Sequence, residues 1–326
     1  RMNLNPIRTG ALPFVQLTAP DVVDQYAVMP LNLQMTSAPS GYRAVFTSTV
    51  TYRTAGVGNH RIMASDPGTT YASQTSPFFT VTPNNLTRVQ VLLPGEAADA
   101  GRPANFSTPG EPAGKTGFVD ADGNNGNGIQ NFTAGTFHAV RVNGVDDYHN
   151  IVSTNASVNL YSTDVNGTPS NSVALTQPLL AGTTIFSARI ITSQDASANP
   201  LTHRYTADSG VLITDQSPDF NVDPALVSKI LVLLPGETAA PGTLLGKTGS
   251  VTAATAGDAY AIKARLSDAY FNAVGNASQG ATMKLQTTDP YDTPDPNTSI
   301  VIPSGLSNYD GVFSHQFRRA DASGWL

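Results

Sequence analysis

Apolar and polar residues alternate along this chain in short runs. The runs cover 86–93 (Leu-Thr-Arg-Val-Gln-Val-Leu-Leu), 136–142 (Thr-Phe-His-Ala-Val-Arg-Val), 156–161, 183–191, 202–207 and 219–223, with a shorter one near 171–176. A period of two places successive side chains on opposite faces of an extended strand. Between the runs lie clusters of Pro, Gly, Asn and Asp, which end strands and make turns. No segment shows a convincing helical period. The pattern predicts an all-β chain whose central part forms about seven antiparallel strands. Asn143-Gly144 is expected to turn or bulge the chain at the end of one run.

The runs recur. Leu92-Leu93-Pro94-Gly95-Glu96 returns as Leu233-Leu234-Pro235-Gly236-Glu237, and Gly114-Lys115-Thr116-Gly117 as Gly246-Lys247-Thr248-Gly249. Thr133-Ala134-Gly135 returns as Thr255-Ala256-Gly257. The later half of the unit occurs three times: Val158 to Asp164 matches Val15 to Asp21 and Met283 to Asp289, and Phe186 matches Phe46 and Phe313. His203-Arg204 matches His60-Arg61, and Ser217-Pro218 to Pro224 matches Ser76-Pro77 to Pro83, without a third copy. Ordered self-similarity of this kind marks a repeat protein. The register divides the chain into a unit at 1–83 without its opening strands, a complete unit at 84–224 with an inserted loop at 97–131, and a unit at 225–326 without its closing strands. Either a leader has been removed before Arg1 or the chain is an excerpt of a longer one.

Composition narrows the function classes. Charged residues make up 13% of 326, well under the roughly 25% of ordinary globular domains. Thr, Ser, Asn and Val take their place, as suits strands with hydroxyl-rich outer faces. The net charge is −6 without a basic run, which argues against a nucleic-acid partner. There is no cysteine, which excludes disulfides, thiolate metal sites and a Cys nucleophile. No apolar run is long enough to be a membrane-spanning helix.

Thr133-Ala134-Gly135 with the alternation that follows and Asp147, and Thr255-Ala256-Gly257 with Ala264-Arg265-Leu266-Ser267-Asp268, resemble bacterial immunoglobulin-like repeats of the invasin/intimin kind. The Leu-Leu-Pro-Gly-Glu and Gly-Lys-Thr-Gly blocks are similar to tandem repeats of very large bacterial surface proteins. The resemblance covers nearly the whole chain and implies tandem immunoglobulin-like antiparallel β-sandwich domains, displayed outside the cell or on its surface. Such modules serve as stalks, adhesin tips, filament subunits and spacers, so function does not follow from the fold.

Motifs for chemistry are sparse. The five histidines show no His-Glu-x-x-His spacing, and no Gly-x-Ser-x-Gly occurs. His60 and His203 sit at equivalent repeat positions, which predicts a shared strand-end role. Gly114-Lys115-Thr116-Gly117 lacks the spacing of a phosphate loop and reads as a turn with a solvated lysine. Asp120, Asp122 and Asn124 alternate along a Gly- and Asn-rich stretch, a pattern suited to Ca²⁺, although the EF-hand glycine and final glutamate are missing. The alternative is an Asn/Gly-rich surface loop.

These features predict a non-enzymatic structural subunit of an extracellular fibre, filament or surface stalk, assembled head to tail. Its partners are copies of itself or further repeats of one chain. Ile7, Leu12 and Phe14 in the first segment are candidates for a strand donated to a neighbour. The alternatives are an adhesin that contacts a glycan or a neighbouring surface through the inserted loop, and a spacer of a secreted enzyme.

Overall fold

The computed structural model describes residues 12–38, 41–103, 114–124, 126, 129–275, 281–291, 299–303, 305, 307 and 309–320. Among them there is no α-helix, and a single 3₁₀ turn spans Val22–Asp24. The remaining regular structure is short strands in small sheets, paired antiparallel except where Phe132–Thr133 runs parallel to Phe220–Asp223. That parallel pair departs from the wholly antiparallel arrangement that the alternation predicts. No helix of the described residues is long and apolar enough to cross a membrane.

The ladders fall into three groups along the chain, within 14–81, 88–223 and 229–315, and no named ladder joins one group to another. In the middle group, His138–Val145 lies between Arg88–Leu92 and Thr183–Ala188. Facing it, Ser157–Ser162 lies between Leu175–Pro178 and Tyr205–Asp208, with Asp215–Gln216 on the far edge. The side chains between are Val91, Val140, Val142, Val158, Leu160, Phe186, Tyr205 and Phe220 with their neighbours, a continuous buried core. Alternation places them there: Val140 and Val142, and Val158 and Leu160, are successive inward positions of two strands.

The last group repeats this arrangement in register. Val140 faces Phe186 as Ile262 faces Phe313, and Arg141 faces Leu92 as Lys263 faces Leu233. The hairpin Glu96–Ala98 with Lys115–Gly117 has the same pairing as Glu237–Ala239 with Lys247–Gly249. In the first group Leu17 faces Ala64 as Leu160 faces Ala207, and His60 faces Phe79 as His203 faces Phe220. The repeated Leu-Pro-Gly-Glu turn closes on itself. Pro94-Gly95 and Pro235-Gly236 occupy its centre, each glycine left-handed at φ 85° and 91°. The glutamate then accepts from the amide before the turn, Leu93 N to Glu96 at 2.8 Å and Leu234 N to Glu237 at 2.9 Å.

Two local expectations change. Asn143-Gly144 forms no turn but lies inside the strand His138–Val145. Asn143 is held there by Gln90 and Thr183 side chains at 3.0 and 2.8 Å. Gly144 meets a tight packing contact, where a Cβ would lie 2.8 Å from Leu179. Lys115 is not solvated: it is buried on a strand and pairs with Asp215 at 2.9 Å. The equivalent Lys247 is partly exposed and pairs with Glu237.

Candidate assembly junctions

One feature recurs at each group's end. A buried aspartate holds the two amides that follow the last long strand or its counterpart. Asp24 Oδ2 accepts from Arg53 N at 2.6 Å and Thr54 N at 3.0 Å. Asp164 Oδ2 accepts from Ile191 N at 2.7 Å and Thr192 N at 3.0 Å. Asp289 Oδ2 accepts from Arg318 N at 2.8 Å and Arg319 N at 3.1 Å. A buried carboxylate is costly unless donors surround it, and paired backbone amides supply them. Sequence matching places Asp21 in this register. The structure instead uses Asp24, because the 3₁₀ turn Val22–Asp24 takes up three extra residues, and Asp21 pairs with Arg61 at 3.0 Å.

A second loop grips the first two of these strand ends. Asp146-Asp147-Tyr148-His149-Asn150 and Asp268-Ala269-Tyr270-Phe271-Asn272 share an Asp-x-Tyr-x-Asn pattern. In each, the aspartate Oδ1 accepts from the Tyr and Asn amides, at 2.9 and 3.0 Å in the first loop and 2.8 and 3.0 Å in the second. The residue before the asparagine is left-handed in both, at φ 61° for His149 and 64° for Phe271. The remaining aspartate oxygen receives the amide of the incoming linker, Asn84 N at 2.8 Å and Ala225 N at 3.0 Å.

The asparagine side chain crosses to the preceding group. Asn150 Oδ1 accepts from Ala55 N at 2.7 Å while its Nδ2 donates to Arg53 O at 2.7 Å. Asn272 Oδ1 accepts from Ser193 N at 2.8 Å while its Nδ2 donates to Ile191 O at 2.9 Å. A primary amide carries a donor and an acceptor side by side, so it pairs with one backbone carbonyl and one N–H as a β-ladder partner would. An aspartate at the position has no proton to donate. Both asparagines are buried, which strengthens their hydrogen bonds relative to exposed ones.

Glycines set the approach distance. Gly101 and Gly242 are left-handed at φ 89° and 80°, and a Cβ on either would lie 2.0 Å from Thr54 Oγ1 or Thr192 Oγ1. Each donates its amide to the tyrosine carbonyl of the gripping loop at 2.7 Å. Around this shared geometry the two junctions differ. At the first, the Tyr26 hydroxyl donates to Asp99 and the Arg53 guanidinium lies over the Tyr148 ring. At the second, Arg265 Nη1 donates to Ala196 O at 3.1 Å, and Gly135 lies so close to Tyr270 that a Cβ would be 2.1 Å from its ring. His203 braces the second strand end through Thr192 O at 2.6 Å, and burial holds its imidazole below the usual pKa.

The other candidate residues lie elsewhere. Asp120 is fully buried; its Oδ1 accepts from Gln130 N at 3.0 Å, and its Oδ2 has no hydrogen-bond donor. Asp122 and Asn124 are exposed, and their Oδ1 atoms accept from Asn124 N at 2.8 Å and Gly126 N at 3.2 Å. Ca²⁺ takes about six to eight oxygens. The described residues hold no group of three or more His, Cys, Asp or Glu arranged for a metal, and only Asp120 contributes a buried oxygen left over by the loop's own bonds. Phe14 begins the strand Phe14–Thr18 and faces Gln34 of the same chain, and Leu12 O accepts from the Gln34 side chain at 3.2 Å. Ile7 lies outside the described residues. Repeat matching along the sequence missed Asn150 and Asn272, although the shared Asp-x-Tyr-x-Asn spacing is a signal that marks both.

No protein-family model matches the chain, and no curated protein matches it.

Proposed function

We propose that the chain is a run of tandem immunoglobulin-like β-sandwich repeats, divided near residues 83 and 224, that serves as a structural segment of an extracellular bacterial fibre or stalk. The observation that carries this reading is the junction. Two successive contacts between groups use the same atoms in the same roles, down to the left-handed residue and the glycine that admits the loop. A connection that varies freely in angle has no need of a buried two-pronged amide. A segment that transmits position or load along a series does need one.

The rest of the molecule agrees with a structural role. Buried polar side chains include cross-strand partners and ion pairs such as Gln90 with Asn143 and Arg265 with Asp310. Three histidines of the middle group, the half-buried His138 and the buried His149 and His203, are each held below the ordinary imidazole range first by desolvation, and each bonds to a neighbouring hydroxyl or carbonyl. An extracellular setting rests on the resemblance of the repeated blocks to those of bacterial surface proteins. Small-angle scattering from the whole chain tests the reading. An extended particle with one well-defined maximum dimension supports it, and a compact globule or a broad ensemble of bent forms overturns it.

A further inference from the structure

Both copies of the Leu-Pro-Gly-Glu hairpin carry a lysine across from the glutamate, and the two lysines take different partners. Glu96 faces Gly117 and Ala98 faces Lys115, so Glu96 and Lys115 are diagonal neighbours on one face of the hairpin. Glu237 and Lys247 repeat that placement. Lys247 is partly exposed and pairs with its own hairpin glutamate at 2.9 Å. Lys115 is buried and pairs instead with Asp215 at 2.9 Å. Its glutamate therefore keeps an oxygen to spare. Glu96 Oε2 accepts from Leu93 N at 2.8 Å, whereas Oε1 is buried and has no hydrogen-bond partner.

Asp215 begins the edge strand Asp215–Gln216, a hundred residues along the chain from Lys115. Its Oδ2 accepts from Val91 N at 2.7 Å as well as from the lysine. The lysine Nζ is held from a second side by Gln216 O at 3.5 Å. An amine, a carboxyl group and a backbone N–H on the carboxyl oxygen are thus fixed together, with the Asp215 side chain partly open to solvent. Burial raises the pKa of the Glu96 carboxyl beside them; the Lys115 charge and the Leu93 amide oppose the rise, and Asp215 adds to it. A carboxyl group held above its usual range gives up and regains a proton more readily near neutral pH.

We infer that Lys115 and Asp215 are a self-modification site, joined by an intramolecular amide bond whose formation Glu96 assists as proton relay. The ion pair first passes a proton from Nζ to Asp215 Oδ1. The amine lone pair attacks Cγ, the N–C bond forms, and the developing negative charge falls on Oδ2, where the Val91 N–H already points. Glu96 takes a proton from Nζ and returns one to Oδ1, the Cγ–Oδ1 bond breaks, and water leaves by the exposed side. Nζ keeps one hydrogen and the water carries off two, so no oxidant or further reactant is consumed. The bond ties the hairpin strand Lys115–Gly117 to the edge strand Asp215–Gln216 and closes the chain between them into a loop. Such a tie suits a segment under load, yet the chemistry stands on these side chains and not on the fibre reading.

The test is the intact mass of the whole chain after overnight incubation at neutral pH, followed by protease digestion and fragmentation. The chain should be lighter than its sequence by one water, and the digest should contain a branched peptide joining the segments that hold Lys115 and Asp215. Lys115→Arg and Asp215→Ala should each restore the full mass expected of their sequences. Glu96→Gln keeps an acceptor for Leu93 N, so the core should keep its amide protection while the bond fails to form. A native chain at full sequence mass, a deficit that maps to a cyclised aspartate instead of a branched peptide, a deficit that survives Lys115→Arg, or an undiminished crosslink in Glu96→Gln would each overturn the inference. Scattering is blind to a single bond inside one group, so failure here leaves the repeat reading standing, and a compact globule that carries the crosslink removes only that reading.

Discussion

The groups at 88–223 and 229–320 share their backbone register and differ in the side chains that occupy it. Across the middle three strands runs a polar row, Gln90, Asn143 and Thr183, joined at 3.0 and 2.8 Å. The same three positions of the last group hold Leu231, Arg265 and Asp310, with the guanidinium bound to both carboxylate oxygens at 2.7 and 2.9 Å. His138 on the Tyr205 hydroxyl becomes Tyr260 on the Thr252 carbonyl. Register therefore tolerates a complete exchange of local chemistry in this row, where the polar side chains keep partners in both groups. Among the described residues, closure of the core separates the groups. The middle one surrounds Phe186 on all sides, whereas the equivalent Phe313 belongs to a smaller cluster beside an open cavity.

The largest expected effect breaks that comparison directly. Phe186→Ala should cost about 3–5 kcal/mol, the usual range for a fully enclosed phenylalanine, and Phe313→Ala clearly less, because the open side lets the site relax. Chemical denaturation followed by segment-resolved hydrogen exchange measures both; equal losses would mean that the two cores are equally closed.

Acid should also separate the groups. Burial holds His138 at a pKa of about 4, against about 6.5 when unfolded. The unfolded chain then binds the extra proton first. Stability from this group is complete above pH 6.5 and falls as the pH drops toward 4, by about 3 kcal/mol in all. His149 and His203 shift in the same direction and add to the loss. The last group has Tyr260 at the matching position and lacks this contribution. Exchange protection measured at pH 7 and pH 4.5 should fall first in 88–223, and loss beginning in 229–315 would contradict the account.

At the junctions, Asn272→Ala leaves Ser193 N and Ile191 O buried without their partners and should cost about 2–4 kcal/mol of local stability. Asn272→Asp keeps the acceptor and loses the donor, so it should not rescue. The smallest effect belongs to Arg204 and Asp219, paired at 2.8 Å but both well exposed. Replacing either with alanine should change stability by less than about 1 kcal/mol.

The strands were legible because their alternation is strong. The runs at 86–93, 136–142, 156–161 and 219–223 contain or overlap Arg88–Leu92, His138–Val145, Ser157–Ser162 and Phe220–Asp223. His60 and His203 do end equivalent strands. What periodicity could not carry was anything made by a single side chain reaching between groups. Asn150 and Asn272 sit in loops, where composition already expects Asn, and their partners lie 95 and 79 residues away. Asp24 was hidden by the three-residue shift that made Asp21 the better match. Lys115 was misplaced because burial of a lysine depends on Asp215, a hundred residues on, and a local motif does not contain that partner. The parallel pairing of Phe132–Thr133 is likewise a fact of topology, invisible to alternation alone.

The central claim is that neighbouring repeats are locked by a buried asparagine, and amide exchange at Ser193 tests it most directly. In the native chain that amide is bonded to Asn272 and should exchange slowly. In Asn272→Ala it should exchange at least roughly tenfold faster, while Val140 and Phe186 in the adjacent core keep their protection. Unchanged protection of Ser193 in the variant would show that the asparagine does not hold the junction, and the account would fail.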